Sequence, residues 1–237
     1  MLQVIREARE KSDISFGERS VASFEYRRIE LCYMLASGLP VSVDEIIRAV
    51  KALSVTFSGS DKELRADSVA GGGDAKILEP VSLRNKIVYR ELYEKNRSGF
   101  LCGINQEANP LFQYPYIITE KFKFVSCATP SAPEETILKR SVMDGRIVHP
   151  VLASKDKFRV ICAGEYSYIR MCNGGNVIIC NTCSGHYVPK GVSPSQLYEY
   201  LSLSLDNMKD LPALIFTSHG WCRNESFKKI IEGVYGY

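Results

Sequence analysis

The sequence predicts an α+β protein, with a helical N-terminal unit followed by a mainly antiparallel sheet with C-terminal helices. Three features point there. Apolar residues recur at helical spacing over residues 1–57, and the apolar runs shorten to strand length after Ile77. Turn dipeptides then punctuate those runs until helical spacing returns at Pro194.

Between Gly17 and Ala36, residues Val21, Phe24, Ile29, Leu31, Met34 and Leu35 fall at helical spacing, with Arg27, Arg28 and Glu30 between them. Gly38-Leu39-Pro40 ends this helix, because Gly suits a C-terminal cap and Pro cannot continue the helix. Ser42 caps a second helix, with Glu45 in the capping-box position and one stripe of Val43, Ile46, Ile47, Val50 and Leu53. Together they make a compact unit over 1–57, suited to a lid or a docking role. Residues 58–76 are polar and contain Gly71-Gly72-Gly73, which predicts a flexible linker and an internal boundary. Lys76 is followed by Ile77 and no strand precedes the glycines, so they lack the pattern of a phosphate loop.

Residues 77–237 form the α+β domain. Strands are predicted at Lys86–Tyr89, Tyr116–Thr119, Phe122–Ser126, Phe158–Ala163, Tyr166–Met171 and Asn176–Cys180. Asn109-Pro110, Asp144-Gly145 and Asn173-Gly174-Gly175 are the turns, the last closing the clearest hairpin. Pro194 opens a helix with Leu197, Tyr198, Leu201 and Leu205 on one face. A strand at Ala213–Thr217 and a helix near Glu225–Glu232 follow.

Composition narrows the function classes. Of 237 residues, 45% are hydrophobic and 24% charged, which excludes disorder, collagen-like repeats and a coiled coil as the main architecture. The net charge of +3 comes with no concentrated basic run, so nucleic acid is not an expected partner. Met1–Lys11 alternates charged and apolar residues and holds no apolar core, so a secretory signal is not expected; order or a flexible secretion leader both fit residues 1–16. No apolar run is long enough to span a membrane. The eight cysteines then read as reduced thiols in a soluble protein of a reducing compartment.

Residues 144–217 carry the most specific pattern. They contain His149 with Leu152-Ala153, then Ala163-Gly164-Glu165, the Asn173-Gly174-Gly175 turn, and Ser184-Gly185-His186-Tyr187-Val188-Pro189 ahead of a helix and a strand. This order resembles an SGHYxP-containing module shared by plant IQ-motif calmodulin-binding proteins and bacterial effector- or toxin-like proteins. Pro150-Val151 stands where the pattern has two serines, and no IQ motif is recognisable, so calmodulin binding is not carried over. The resemblance implies an effector-type protein that acts on a host protein.

Within the motif, Gly185 is expected to turn the chain so that His186 and Tyr187 enter one cleft, with Pro189 fixing the exit. An imidazole beside a flat phenol suits an active site or a nucleotide pocket, and it suits a structural knot equally. Glu165 reads either as a carboxylate that steadies a developing cation or as a solvated strand-end residue.

Ile87-Val88-Tyr89-Arg90 resembles the strand that opens the catalytic sheet of ADP-ribosyltransferases. That resemblance implies Arg90 on the NAD phosphates through its bidentate fork, Ser126 on the nicotinamide ribose and Glu165 on the oxocarbenium-like centre. His186 joins Glu165 as a catalytic candidate, and Tyr187 joins Arg90 and Ser126 as a cofactor-binding one. The alternative reading of Arg90 is an ion pair with Glu91 or Glu94. Cys180-Asn181-Thr182-Cys183 with His186 is too crowded for a zinc knuckle and lacks a second one, so no metal is expected. His219 and Cys222 lie close in sequence, which is not evidence that they meet as a nucleophile and its base.

The expectation that follows is a bacterial effector- or toxin-type virulence protein, made within a eukaryotic-like cytosol or delivered there by a signal-peptide-independent route. It modifies a host protein by ADP-ribosyl transfer from NAD. The alternative is a non-catalytic interaction module that binds a host regulatory protein through the helices at 17–53.

Overall fold

A computed structural model of the chain describes residues 16–66, 75–81, 86–131, 148–189 and 191–236. Helices α1 (Phe16–Ala36) and α2 (Val43–Ser58) come first, followed by α3 (Lys86–Asn96), a 3₁₀ turn (Arg97–Gly99), β1 (Phe100–Cys102), β2 (Tyr114–Thr119) and β3 (Phe124–Cys127). The second half holds α4 (His149–Ala153), β4 (Val160–Arg170), β5 (Asn176–Asn181), α5 (Pro194–Ser204), β6 (Ala213–Thr217), β7 (Gly220–Arg223) and α6 (Glu225–Tyr235). The strands form one sheet in the order β1-β3-β2-β4-β5-β6-β7. All neighbours are antiparallel except β5 and β6, which α5 joins as a crossover. The mixed α+β class with a mainly antiparallel sheet is as expected.

Strand alternation divides the core into two faces. Cys162, Tyr166 and Tyr168 of β4 pack with Tyr116, Ile178, Ile215 and with Leu197, Tyr200 and Leu201 of α5. Ala163 and Ile169 point the other way. There α1, α2 and α6 form one apolar cluster with β5, β6 and β7, while α3, α4 and Tyr187 form a second over β2, β3 and β4. A bulge at Ile161, between Val160 opposite Thr119 and Cys162 opposite Ile118, is the one break in this alternation along β4.

Local signals explain the helix limits. Ser42 and Glu45 form the expected capping box, and Gly38 after α1 takes φ +65°. The predicted stripe of α2 is buried at Ile46, Val50 and Leu53. Ser193 and Gln196 make a second capping box at α5.

Three expectations need correction. Residues Lys86–Tyr89 are not a strand but the first turn of α3, whose Tyr89, Leu92 and Tyr93 lie at helical spacing and pack inward. The predicted strands Phe158–Ala163 and Tyr166–Met171 are one strand, β4; it starts at Val160 because Lys157 and Phe158 take φ of 55° and 64°, which a strand cannot hold.

The third correction concerns residues 58–66, which are no free linker. Trp221 N–H donates to the Lys62 carbonyl at 3.0 Å, Leu64 N–H to the Trp221 carbonyl at 2.8 Å, and Trp221 Nε1–H to the Asp61 carbonyl at 3.1 Å. Arg223 pairs with Glu63 at 2.9 Å. The helices of 1–57 share their apolar cluster with the sheet, so the boundary expected there is not a break in the core. Gly71-Gly72-Gly73 and Asp144-Gly145 lie outside the described residues.

Candidate functional site

Glu165 is the only acidic side chain in any strand among the described residues, and β4 is the middle strand of seven. The peptide that carries it is held on both sides. His149 Nε2–H donates to the Gly164 carbonyl at 2.9 Å, and the Glu165 N–H donates to Asn181 Oδ1 at 3.1 Å. Asn181 Oδ1 also accepts from Cys183 N–H at 2.8 Å, and its backbone carbonyl accepts the Tyr116 hydroxyl at 2.8 Å. A Cβ on Gly164 would sit 1.8 Å from that same carbonyl oxygen, so only glycine lets β4 and β5 approach here. Glu165 itself is half-buried and faces the side of α1–α4 and α6.

The Ser184–Pro189 turn lies next to this peptide. Ser184 Oγ accepts Tyr187 N–H at 3.1 Å, and the His186 carbonyl accepts Val81 N–H at 2.9 Å. The His186 ring stands edge-on to Tyr89, with centroids 6.4 Å apart at 89°. Burial lowers the pKa of His186, so the half-buried ring is neutral at pH 7. Burial also takes His149 down to about 4, opposed by its bond to Gly164 and reinforced by nearby His186. His149 thus holds the Gly164–Glu165 peptide with a ring kept neutral at pH 7. Tyr187 is fully buried, burial pushes its pKa up, and its hydroxyl has no hydrogen-bond partner among the described residues.

Gly185 does not play the expected part. Its φ lies outside the left-handed range and a Cβ there would meet open space, so the turn is set by Ser184 and the Val81 bond.

The structure does not assemble the anticipated NAD contacts. Ser126 opposes Tyr116, which opposes Gly164, so Ser126 shares Gly164's face of the sheet and looks away from Glu165. It donates to the Gly103 carbonyl at 2.6 Å and accepts the Tyr166 hydroxyl at 3.4 Å. Arg90 is exposed on α3; its guanidinium lies 5.9 Å from the centre of the Phe158 ring, as does Lys86 Nζ, while Glu94 pairs with Arg97. Glu165, His186 and Tyr187 share one side of the sheet, where His149 holds the Gly164 carbonyl.

Sequence reading missed the polar residues that support Glu165: Arg28, Gln113 and Asn181. Arg28 had a signal, since Phe24, Arg28, Leu31 and Leu35 share one helical stripe, and the structure buries all four. Asn181 was read only as the spacer of a cysteine pair. Cys180 points into the α5 face, where burial raises its pKa, and burial takes Cys222 on β7 to about 12, so neither is an activated nucleophile. Among the described residues no three His, Cys, Asp or Glu side chains converge as a metal site requires. A cleft of about 600 Å³ lies on the α5 face, lined by Cys102, Gln106, Tyr168, Asp206, Met208 and Asp210 among others, away from Glu165.

No protein-family model matches the chain, and no curated protein or solved structure matches it. No helix among the described residues is long and apolar enough to cross a membrane.

Proposed function

We propose that the chain is an effector-type enzyme that transfers a glycosyl group, in the first instance ADP-ribose from NAD, to a host protein. The observation that carries this reading is Glu165: one carboxylate, half-buried at the centre of a seven-stranded sheet, held by its own peptide on both sides. A carboxylate at the centre of a sheet is a candidate for a site whose chemistry needs a fixed negative charge. In the proposed step the bond between the ribose C1′ and nicotinamide breaks, and nicotinamide leaves with the bonding electrons. Glu165 steadies the positive charge that develops on the sugar. A nucleophile of the target protein bonds to C1′ and loses its proton to neutral His186. Of the three contacts anticipated for NAD, only Glu165 enters this proposal; Ser126 lies behind the sheet and Arg90 on the exposed side of α3. The resemblance of residues 144–217 to the SGHYxP module supports an effector role in a host cytosol.

The test is labelled NAD incubated with the protein and a eukaryotic lysate. Label is expected on a lysate protein, with transfer lowered about 10²-fold or more by Glu165→Gln. Absence of both label transfer and nicotinamide release from the unaltered protein would overturn the reading.

A second reading, a non-catalytic interaction module, is favoured by one observation. Val81, whose N–H bonds the His186 carbonyl, and Val188 are 68% and 43% exposed at the His186 turn. On that reading Val81→Asp with Val188→Asp abolishes partner binding, and Glu165→Gln leaves it intact.

A further inference from the structure

Arg28 is a buried cation in the middle of the apolar stripe of α1, and every arm of its guanidinium is used. Nη2–H donates to Glu25 Oε2 at 2.8 Å and to the Leu111 carbonyl at 2.7 Å, and Nε–H reaches the same Glu25 oxygen at 3.3 Å. Nη1–H donates to Ser167 Oγ at 2.9 Å, to the Pro110 carbonyl at 3.3 Å and to Cys32 Sγ at 3.8 Å. Ser167 lies two residues beyond Glu165 on the same face of β4.

A second path leads from Arg28 to the same place. Glu25 Oε1 accepts from Gln113 Nε2–H, Gln113 Oε1 accepts from Asn181 Nδ2–H at 2.9 Å, and Asn181 Oδ1 accepts the amide of Glu165. Each amide side chain has one orientation that satisfies both of its neighbours, so the chain of bonds has a single direction from the β4 backbone to Glu25.

We infer that Arg28, acting through Glu25, Gln113 and Asn181 and directly through Ser167, is the positioning residue that fixes the backbone carrying Glu165. The inference rests on the reading of Glu165 as the functional carboxylate. The buried charge is paired with Glu25, and its remaining bonds tie the loop 110–113 and the segment 165–167 of β4 to α1. Helix α1 is thereby part of the site's support, although none of its residues was a site candidate from the sequence.

The experiment is amide hydrogen exchange by NMR on the full chain, comparing the unaltered protein with Gln113→Leu and Arg28→Met. Gln113 is a half-buried loop residue, so its replacement cuts the path without opening the core. In Gln113→Leu the Glu165 and Cys183 amides are expected to exchange about tenfold faster, with the amide of Ile215 on β6 changed less than about twofold. Arg28→Met is expected to extend the effect to Ser167. In the transfer assay the same variants lower kcat and leave KM near its original value. Unchanged exchange at Glu165 in Gln113→Leu, or acceleration shared equally with Ile215, overturns the inference. If Arg28→Met fails to fold, Gln113→Leu still decides it. Absence of NAD transfer in the unaltered protein would sink the functional reading while leaving the exchange result to judge the positioning role.

Discussion

Gly164 and Gly185 behave oppositely. Gly164 has a backbone oxygen where a methyl group would go, and Gly185 has open space. Gly164→Ala is expected to lower stability by about 2 kcal/mol or more, because neither β4 nor β5 can yield without breaking the bonds at Asn181. Gly185→Ala should stay within about 0.5 kcal/mol. Denaturant melts of the two variants side by side check this, and equal effects would contradict it. His149 supplies a pH dependence. Its folded pKa is about 4, below the ordinary 6.5, so between those values the unfolded chain binds a proton that the folded chain refuses. Stability therefore falls as pH drops from about 6.5 to about 4, by up to roughly 3 kcal/mol from this group. In His149→Gln that part of the slope should vanish; an unchanged slope would show that the histidine is not kept neutral.

At the scale of elements, the sequence announced what is locally determined and hid what is not. The Ser42–Glu45 capping box, the Gly38 stop and the Asn-Gly-Gly hairpin are decided within a few residues, and all three are found as expected. Ile87-Val88-Tyr89 misled because a β-rich run of three or four residues has no resolvable period. The signal lay further on, in Tyr89, Leu92 and Tyr93. The polar segment 58–66 looked like a linker because backbone hydrogen bonds to an edge strand leave no mark on composition. Glu165, His186 and Tyr187 were legible as candidates, but the face each occupies depends on strand register, so the grouping with Ser126 was not. The strap along β7 makes a prediction of its own. Trp221→Phe removes the indole bond to Asp61, and limited proteolysis after Lys62 or Arg65 should then quicken while cleavage elsewhere does not.

For the molecule as a whole, the shared cluster of α1, α2, α6 and strands β4 to β7 predicts one cooperative unfolding transition. The single tryptophan, Trp221, is buried inside that cluster. Its fluorescence and the far-ultraviolet circular dichroism should therefore change together in denaturant. A separate early loss of helix would mean that the N-terminal helices fold as their own unit. The same arrangement has a consequence for how the protein is made. Leu31, Leu35, Ile46 and Val50 leave the ribosome well before Leu214, Phe216 and Trp221, which share their cluster. At ordinary translation rates that gap is on the order of ten seconds. Throughout most of it the apolar helical hairpin lacks its cover, since even β4 and β5 of the cluster are made late, which makes the nascent chain a natural client for a chaperone and any early-terminated product prone to aggregate.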